Sequence, residues 1–202
     1  DMAGRFKWIV PMFGLPQRII VFDIEYTTWE GAQERNWSGP NEFKEIVQIG
    51  AVAVETDNFS ELGWKIFYVC PVKNPILSDY FTALTGITQE KVDKEAVTLK
   101  EALHQFKDWV GDNKLYCWGG DMKVLKDNAE LIKIDFPFDL TDFSDIREIF
   151  KSRGIPTDKF MSSTIPRAFG LEPPSHAHDG LNDARSIVMA LRALKSHKVS
   201  LK

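Results

Sequence analysis

The run RIIVFDIE, Arg18–Glu25, constrains this chain more than any other segment. Its β-branched and aromatic residues suit a buried strand, and that strand ends in acid. Asp23 and Glu25 are two residues apart, so on a strand both carboxylates project from one face. A pair at this spacing is common and alone reads as a solvated edge. Two carboxylates converging at a strand end also begin a site for a hard divalent cation, which prefers oxygen ligands.

Two further runs have the same strand character, EIVQIGAVAVE (Glu45–Glu55) and WKIFYVC (Trp64–Cys70), and the polar pair Asp57–Asn58 suits a hairpin between them. Three adjacent, largely antiparallel strands are expected. After Pro71 the pattern turns helical. Ser78 caps a short helix that Gly86 stops. Leu99, Leu103, Phe106 and Val110 recur at helical spacing over about Thr98 to Val110. KLYCW reads as a fourth strand, and a helix-like run follows from Asp121 to about Ile132. Further helices are expected for DFSDIREIFKSRG, for a short segment around Ser163–Phe169 with Pro166 in its first turn, and for Leu181–Lys195. Strands gathered early and then alternating with helices give an α/β protein, a mixed β-sheet flanked by α-helices.

At 202 residues the chain suits one domain, and its 44% hydrophobic and 27% charged residues are those of a globular protein. A net charge of −4 argues against coating nucleic acid by bulk positive charge, but not against a local basic groove. Cys70 and Cys117 both sit in apolar stretches and are expected as buried, reduced thiols, which points to an intracellular and cytoplasmic setting. The apolar run WIVPMFGLP near the N-terminus is broken by prolines and a glycine, so no membrane span is expected there, nor does it show a signal-peptide cleavage pattern. The longest irregular stretch, Trp29–Lys44, reads either as a surface insertion or as a segment that touches substrate.

The string HAHDGLNDARS separates His178 from Asp183 by four residues at the start of a long apolar-faced helix. Asp183 falls in the first turn, where a carboxylate also satisfies the helix dipole. His178 falls on the approach, where neutral imidazole can accept a proton near physiological pH. Between the two acidic ends stands Asp121, after YCWGG, which alone could be a helix cap. The combination carries more weight than any one member.

These motifs resemble the DEDDh exonucleases of the DnaQ-like, ribonuclease H-like superfamily. FDIE resembles the first motif, Asp121 the second, and HDGLNDA the third with its His-x4-Asp spacing. EIVQIGAVAVET and LSDYFTALTGITQEKVD are similar to the Eri-type and KapD-like branch. WGGDMKVL is one residue shorter than the branch's usual second motif, which leaves Asp127 as the alternative to Asp121. The resemblance implies an N-terminal extension over residues 1–17 and an exonuclease domain over 18–198, with a ribonuclease H-like sheet. It further implies two divalent cations, Mg²⁺ or Mn²⁺, held by Asp23, Glu25, Asp121 and Asp183, with His178 as the base. Tyr26, Thr27, Leu84, Thr85 and Trp118 are implied substrate contacts. The implied reaction is removal of nucleoside 5′-monophosphates from the 3′ end of single-stranded nucleic acid, RNA in preference to DNA. The alternatives are a DNA exonuclease and a non-catalytic nucleic-acid-binding protein on the same fold. His176 has the wrong spacing to Asp183 for the base; His104 and His197 read as helix-surface residues.

Overall fold

The computed structural model describes residues 12–174 and 178–196. Five strands form one sheet in the order β3-β2-β1-β4-β5. The central strand β1 (Arg18–Tyr26) pairs antiparallel with β2 (Ile46–Glu55), which pairs antiparallel with β3 (Ser60–Tyr68). On its other side β1 pairs parallel with β4 (Lys114–Cys117), and β4 pairs parallel with β5 (Phe143–Asp145). The helices are α1 (Asp79–Thr85), α2 (Gln89–Glu95), α3 (Leu99–Val110), α4 (Asp121–Leu131), α5 (Arg147–Lys151) and α6 (Gly180–Ser196).

Alternation along β1 divides the core in two. Ile20, Phe22 and Ile24 pack with Leu103, Phe106 and Leu125 of α3 and α4. Ile19 and Val21 pack with Ile187, Val188 and Leu191 of α6 and with Phe150 of α5. Phe22 meets Phe106 and Phe143 at ring centroids 5.7 and 5.9 Å apart, both edge-on, a geometry that adds ~0.5–1.5 kcal/mol per pair to the burial itself. Asp23 and Glu25 continue the parity of Ile19 and Val21. The α6 face of β1 therefore changes from apolar to acidic where α6 begins.

The expected opening of the sheet, the Ser78 cap, the Gly86 stop and the two long helices are all present. Two expectations are corrected and one element is new. DFSDIREIFKSRG is not one helix: Phe143–Asp145 forms β5, because Phe143 pairs beside Leu115 and buries against Phe138, and Asp145 accepts the Arg147 N–H to start the following turn. Gln89–Glu95 forms an unanticipated helix capped by the Thr88 hydroxyl. Cys117 is buried and Cys70 is exposed; both are free thiols, and Cys70 lies past the end of β3 with its N–H bonded to Val97 O. Upstream of β1, Leu15 is buried, Phe13 stacks on Phe59, and Thr56 donates its hydroxyl to Pro16 O at 2.7 Å, so residues 12–17 pack on the sheet. Among the described residues no helix is long and apolar enough to cross a membrane.

Candidate active site

Asp23 and Glu25 reach the end of β1 buried, at 6% and 9% exposure, on the face that meets the start of α6. Two glycines set how near α6 comes. Gly50 lies opposite Asp23 in the β1–β2 register, and a Cβ there would come within 2.7 Å of Leu181 Cα and closer still to the Gly180–Leu181 peptide. A Cβ on Gly180 would stand 2.9 Å from Asp23 O. Gln48, fully buried on β2, bridges the junction: its Oε1 accepts from Gly180 N at 2.6 Å and its Nε2 donates to Asp179 Oδ2 at 3.0 Å. Asp179 Oδ1 in turn accepts from Asn182 N at 3.1 Å, satisfying a donor of the first helical turn.

This junction carries Asp183 and His178 to the carboxylates of β1. Asp183 is 3% exposed, and its Oδ2 accepts the His178 backbone N–H at 3.3 Å. His178 holds a left-handed backbone at φ 64°, which turns the chain into the helix. Asp183 Oδ1 is buried and has no hydrogen-bond partner among the described residues. A buried carboxylate oxygen left unpaired is costly unless something positive meets it.

Asp121 enters from the opposite side, at the first residue of α4. Gly119 makes the turn from β4 with φ 76°, and its N–H donates to Asp145 Oδ1 at 3.1 Å. The Arg147 guanidinium, bonded to Asp145, covers the spot where a Gly119 Cβ would be, 3.2 Å from Cζ. Asp23, Glu25, Asp121, His178 and Asp183 all line one cleft of about 230 Å³. Asp127, the alternative in the second motif, points away and pairs with Lys123 on the exposed face of α4.

Of the expected substrate contacts, Tyr26, Leu84, Thr85 and Trp118 line the cleft. Thr27 does not. Pairing shifts register between Glu25 and Tyr26, and the Thr27 hydroxyl turns inward to donate to Phe43 O at 2.6 Å and accept from Glu45 N at 3.0 Å. The neighbouring Thr28 lines the cleft instead, as do Trp29, Gln33, Glu34 and Trp37 of the long loop. Tyr80, Met161, Ser162 and Ser163 complete it, and the Ser162 side chain hydrogen-bonds Asp23. The sequence offered only a small polar run, MSST, as a signal for that last group. His104 is exposed on α3 as expected, whereas His176 and His197 lie outside the described residues.

Burial and mutual repulsion raise every carboxyl of the cluster. Burial pushes Asp23 well above its ordinary range, with Asp121 adding to it, and does the same to Glu25 with Asp23 and Asp183 adding. Asp121 is pushed up to about 8 by burial, then by Asp145 and Asp183, against the pull of Lys44 and Arg147. Asp183 is also pushed up to about 8, by burial and then by Asp23, against the His178 N–H. His178 moves the other way: burial lowers it and favours the neutral imidazole. Ligand atoms of Glu25, His178 and Asp183 lie within 4.8 Å of one another. Crowded carboxylates with one buried oxygen unpaired among the described residues suit a hard divalent cation.

Comparison with known proteins gives the family and the fold. The chain matches the family model described as Exonuclease (RNase T) over residues 20–191. It is 27% identical over 192 residues to 3′-5′ exoribonuclease 1 of Rattus norvegicus, covering 88% of this chain and 53% of that protein. It is 32% identical over 123 residues to KapD of Bacillus subtilis (strain 168), covering 59% of this chain and 57% of that one. The chain thus spans little more than half the length of either relative. Among solved structures, the nuclease domain of 3′hExo, a DEDDh family member bound to rAMP, superposes with a TM-score of 0.76 at 26% identity, over 92% of this chain and 95% of that one.

Proposed function

The chain belongs to the Exonuclease family through residues 20–191, and on that basis we propose that it is a metal-dependent 3′-5′ exonuclease acting on single-stranded nucleic acid, RNA in preference to DNA. One observation carries the reading: β1, α4 and the start of α6 bring four carboxylates and a histidine into one cleft, with a buried Asp183 oxygen that has no hydrogen-bond partner among the described residues. The preference for RNA is supported by the exoribonuclease relative and by the rAMP held by the structural neighbour.

Asp23, Glu25, Asp121 and Asp183 would hold two divalent cations, Mg²⁺ or Mn²⁺. When bound, these would supply the positive charge that stabilises the attacking and leaving oxygens and the phosphate between them. His178 takes a proton from the attacking water; the water oxygen bonds to phosphorus as the bond to the 3′ oxygen breaks. The departing oxygen takes up a proton, leaving a nucleoside 5′-monophosphate and a strand one residue shorter. Asp183 orients His178 through its backbone N–H, and Ser162 holds Asp23. Tyr26, Leu84, Thr85 and Trp118 would flank the terminal nucleotide, stacking with little sequence preference.

The test is cleavage of matched 5′-labelled single-stranded RNA and DNA with Mg²⁺ or Mn²⁺, beside Asp23→Ala and an EDTA control. Shortening from the 3′ end that needs the cation, vanishes in the variant and runs faster on RNA is the expected result. Binding without shortening of either strand would replace this reading with a non-catalytic nucleic-acid-binding protein.

A further inference from the structure

Lys44 closes the long loop, with its backbone held by α4 and its side chain laid over two aromatic rings. Asn128 of α4, itself buried, donates to Lys44 O at 2.9 Å and accepts from Ile46 N at 2.9 Å, supplying the partner that β1 no longer provides after its register shift. The next residue, Glu45, is buried and accepts the N–H groups of Val72, Lys73 and Asn74. The Lys44 side chain lies across two aromatic rings, its Nζ 3.8 Å from the Trp37 ring centroid and 4.9 Å from that of Tyr26. Those rings meet edge-on at 5.5 Å, and Trp37 is locked by its Nε1–H donating to Thr27 O at 3.0 Å. Both rings also line the cleft.

The ammonium on this platform has no ion pair or hydrogen bond among the described residues. The nearby pairs are Arg35–Glu42 within the loop and Lys123–Asp127 on α4. Half-burial lowers the Lys44 pKa, and Asp121 and Asp127 pull it back without touching it. A cation kept partly desolvated over two rings that line the cleft, and without an ion pair among the described residues, is arranged to receive an anion.

We propose that Lys44 binds a backbone phosphate of the single strand on the 5′ side of the bond that is cut, with Trp37 and Tyr26 holding its ammonium at fixed height. The inference rests on the nuclease reading above, since the 3′-terminal nucleotide occupies the carboxylate end of the cleft. It accounts for the long loop as a substrate wall and assigns its cation to phosphodiester recognition, independent of base sequence.

The test uses Lys44→Met, which keeps the apolar stem on Trp37, and Lys44→Arg, which keeps the charge. Binding of a single-stranded oligonucleotide is measured with Ca²⁺ in place of the activating cation, across a salt series. Loss of one phosphate contact on a single strand should lower the slope of log K against log salt by about 0.7 and weaken low-salt binding about five- to tenfold. Lys44→Arg should restore both. In turnover with Mg²⁺, Lys44→Met should raise KM and leave kcat near wild type, and inhibition by 5′-AMP should not change. An unchanged slope and affinity in a folded Lys44→Met protein would overturn the inference. So would a fall in kcat at constant KM, which would make Lys44 only a counter-charge for Asp121. Equal weakening of 5′-AMP would assign the charge to the product's phosphate and overturn it too. A wild-type protein that binds but never cuts would sink the nuclease reading alone, leaving Lys44 to be judged on the salt slope.

Discussion

Asp183 has one oxygen on the His178 N–H and the other buried without a hydrogen-bond partner among the described residues, an arrangement that suits a bound cation. His178 contributes through its ring, which is half-buried, and its removal leaves the helix junction intact. His178→Ala should therefore cut turnover by about 10²- to 10⁴-fold, the usual worth of a general base, with a small change in thermal midpoint. Turnover close to wild type would reject the role. Because burial depresses the His178 pKa, the imidazole stays neutral to a lower pH than a free histidine. The cation-saturated rate should thus hold down to about pH 6.5 and fall only on the acid side of it. At this scale strand alternation put Asp23 and Glu25 on one face and the His-x4-Asp spacing put His178 and Asp183 at a helix start, while their proposed roles came from the family resemblance. Thr27 was misread because a bulge after Glu25 reverses which side chain faces the cleft, and alternation along a strand does not announce a bulge.

Among the elements, the contact of α6 with β2 decides whether the site exists. It depends on the absence of side chains at Gly50 and Gly180 and on the Gln48 bridge. Gly50→Ala puts a methyl into backbone that cannot turn aside, so α6 must lift. Overpacking of this kind costs about 1–3 kcal/mol. Cleavage should fall further than unfolding explains when measured well below the midpoint. Gly63→Ala on β3, where a Cβ meets nothing within 4 Å, is the control and should behave as wild type in both measurements. A Gly50→Ala protein with unchanged midpoint and rate would show that α6 tolerates the displacement. EIVQIGAVAVE read correctly as a strand, yet the need for glycine within it was invisible, because its partner lies about 130 residues away. The fifth strand was missed for a related reason: Phe143, Ile146, Ile149 and Phe150 recur at helical spacing, and only pairing with β4 holds the first three residues of that run extended.

Over the whole molecule, a net charge of −4 conceals a strongly uneven distribution, with four raised carboxyls gathered in one cleft. Without a cation, the folded protein keeps protons on Asp121 and Asp183 up to about pH 8 that the unfolded chain releases near pH 4. The folded state then binds more protons, and stability falls as pH rises through that window. His178 acts oppositely but is one group, and its effect is confined to the acid side of its ordinary value. Thermal unfolding in EDTA should give a lower midpoint at pH 8.5 than at pH 6, and Mn²⁺ should raise the midpoint more at pH 8.5, where no protons need displacing. Equal Mn²⁺ shifts at the two pH values would mean that the carboxylates do not share a cation.

By itself the sequence determined the α/β class and the order of the main elements, because these rest on local physics: side-chain alternation, helical spacing and caps. The tertiary structure decided which acid of the second motif faces the cleft, how near α6 approaches β1, and that Lys44 of the long loop stands over Trp37 and Tyr26 without an ion pair among the described residues. Those outcomes depend on contacts between segments far apart in the chain, through Gly50 with Gly180, Asn128 with Lys44, and Asp145 with Gly119. No local pattern specifies such a contact, since each partner has an ordinary role in its own neighbourhood and acquires the other only when the sheet closes.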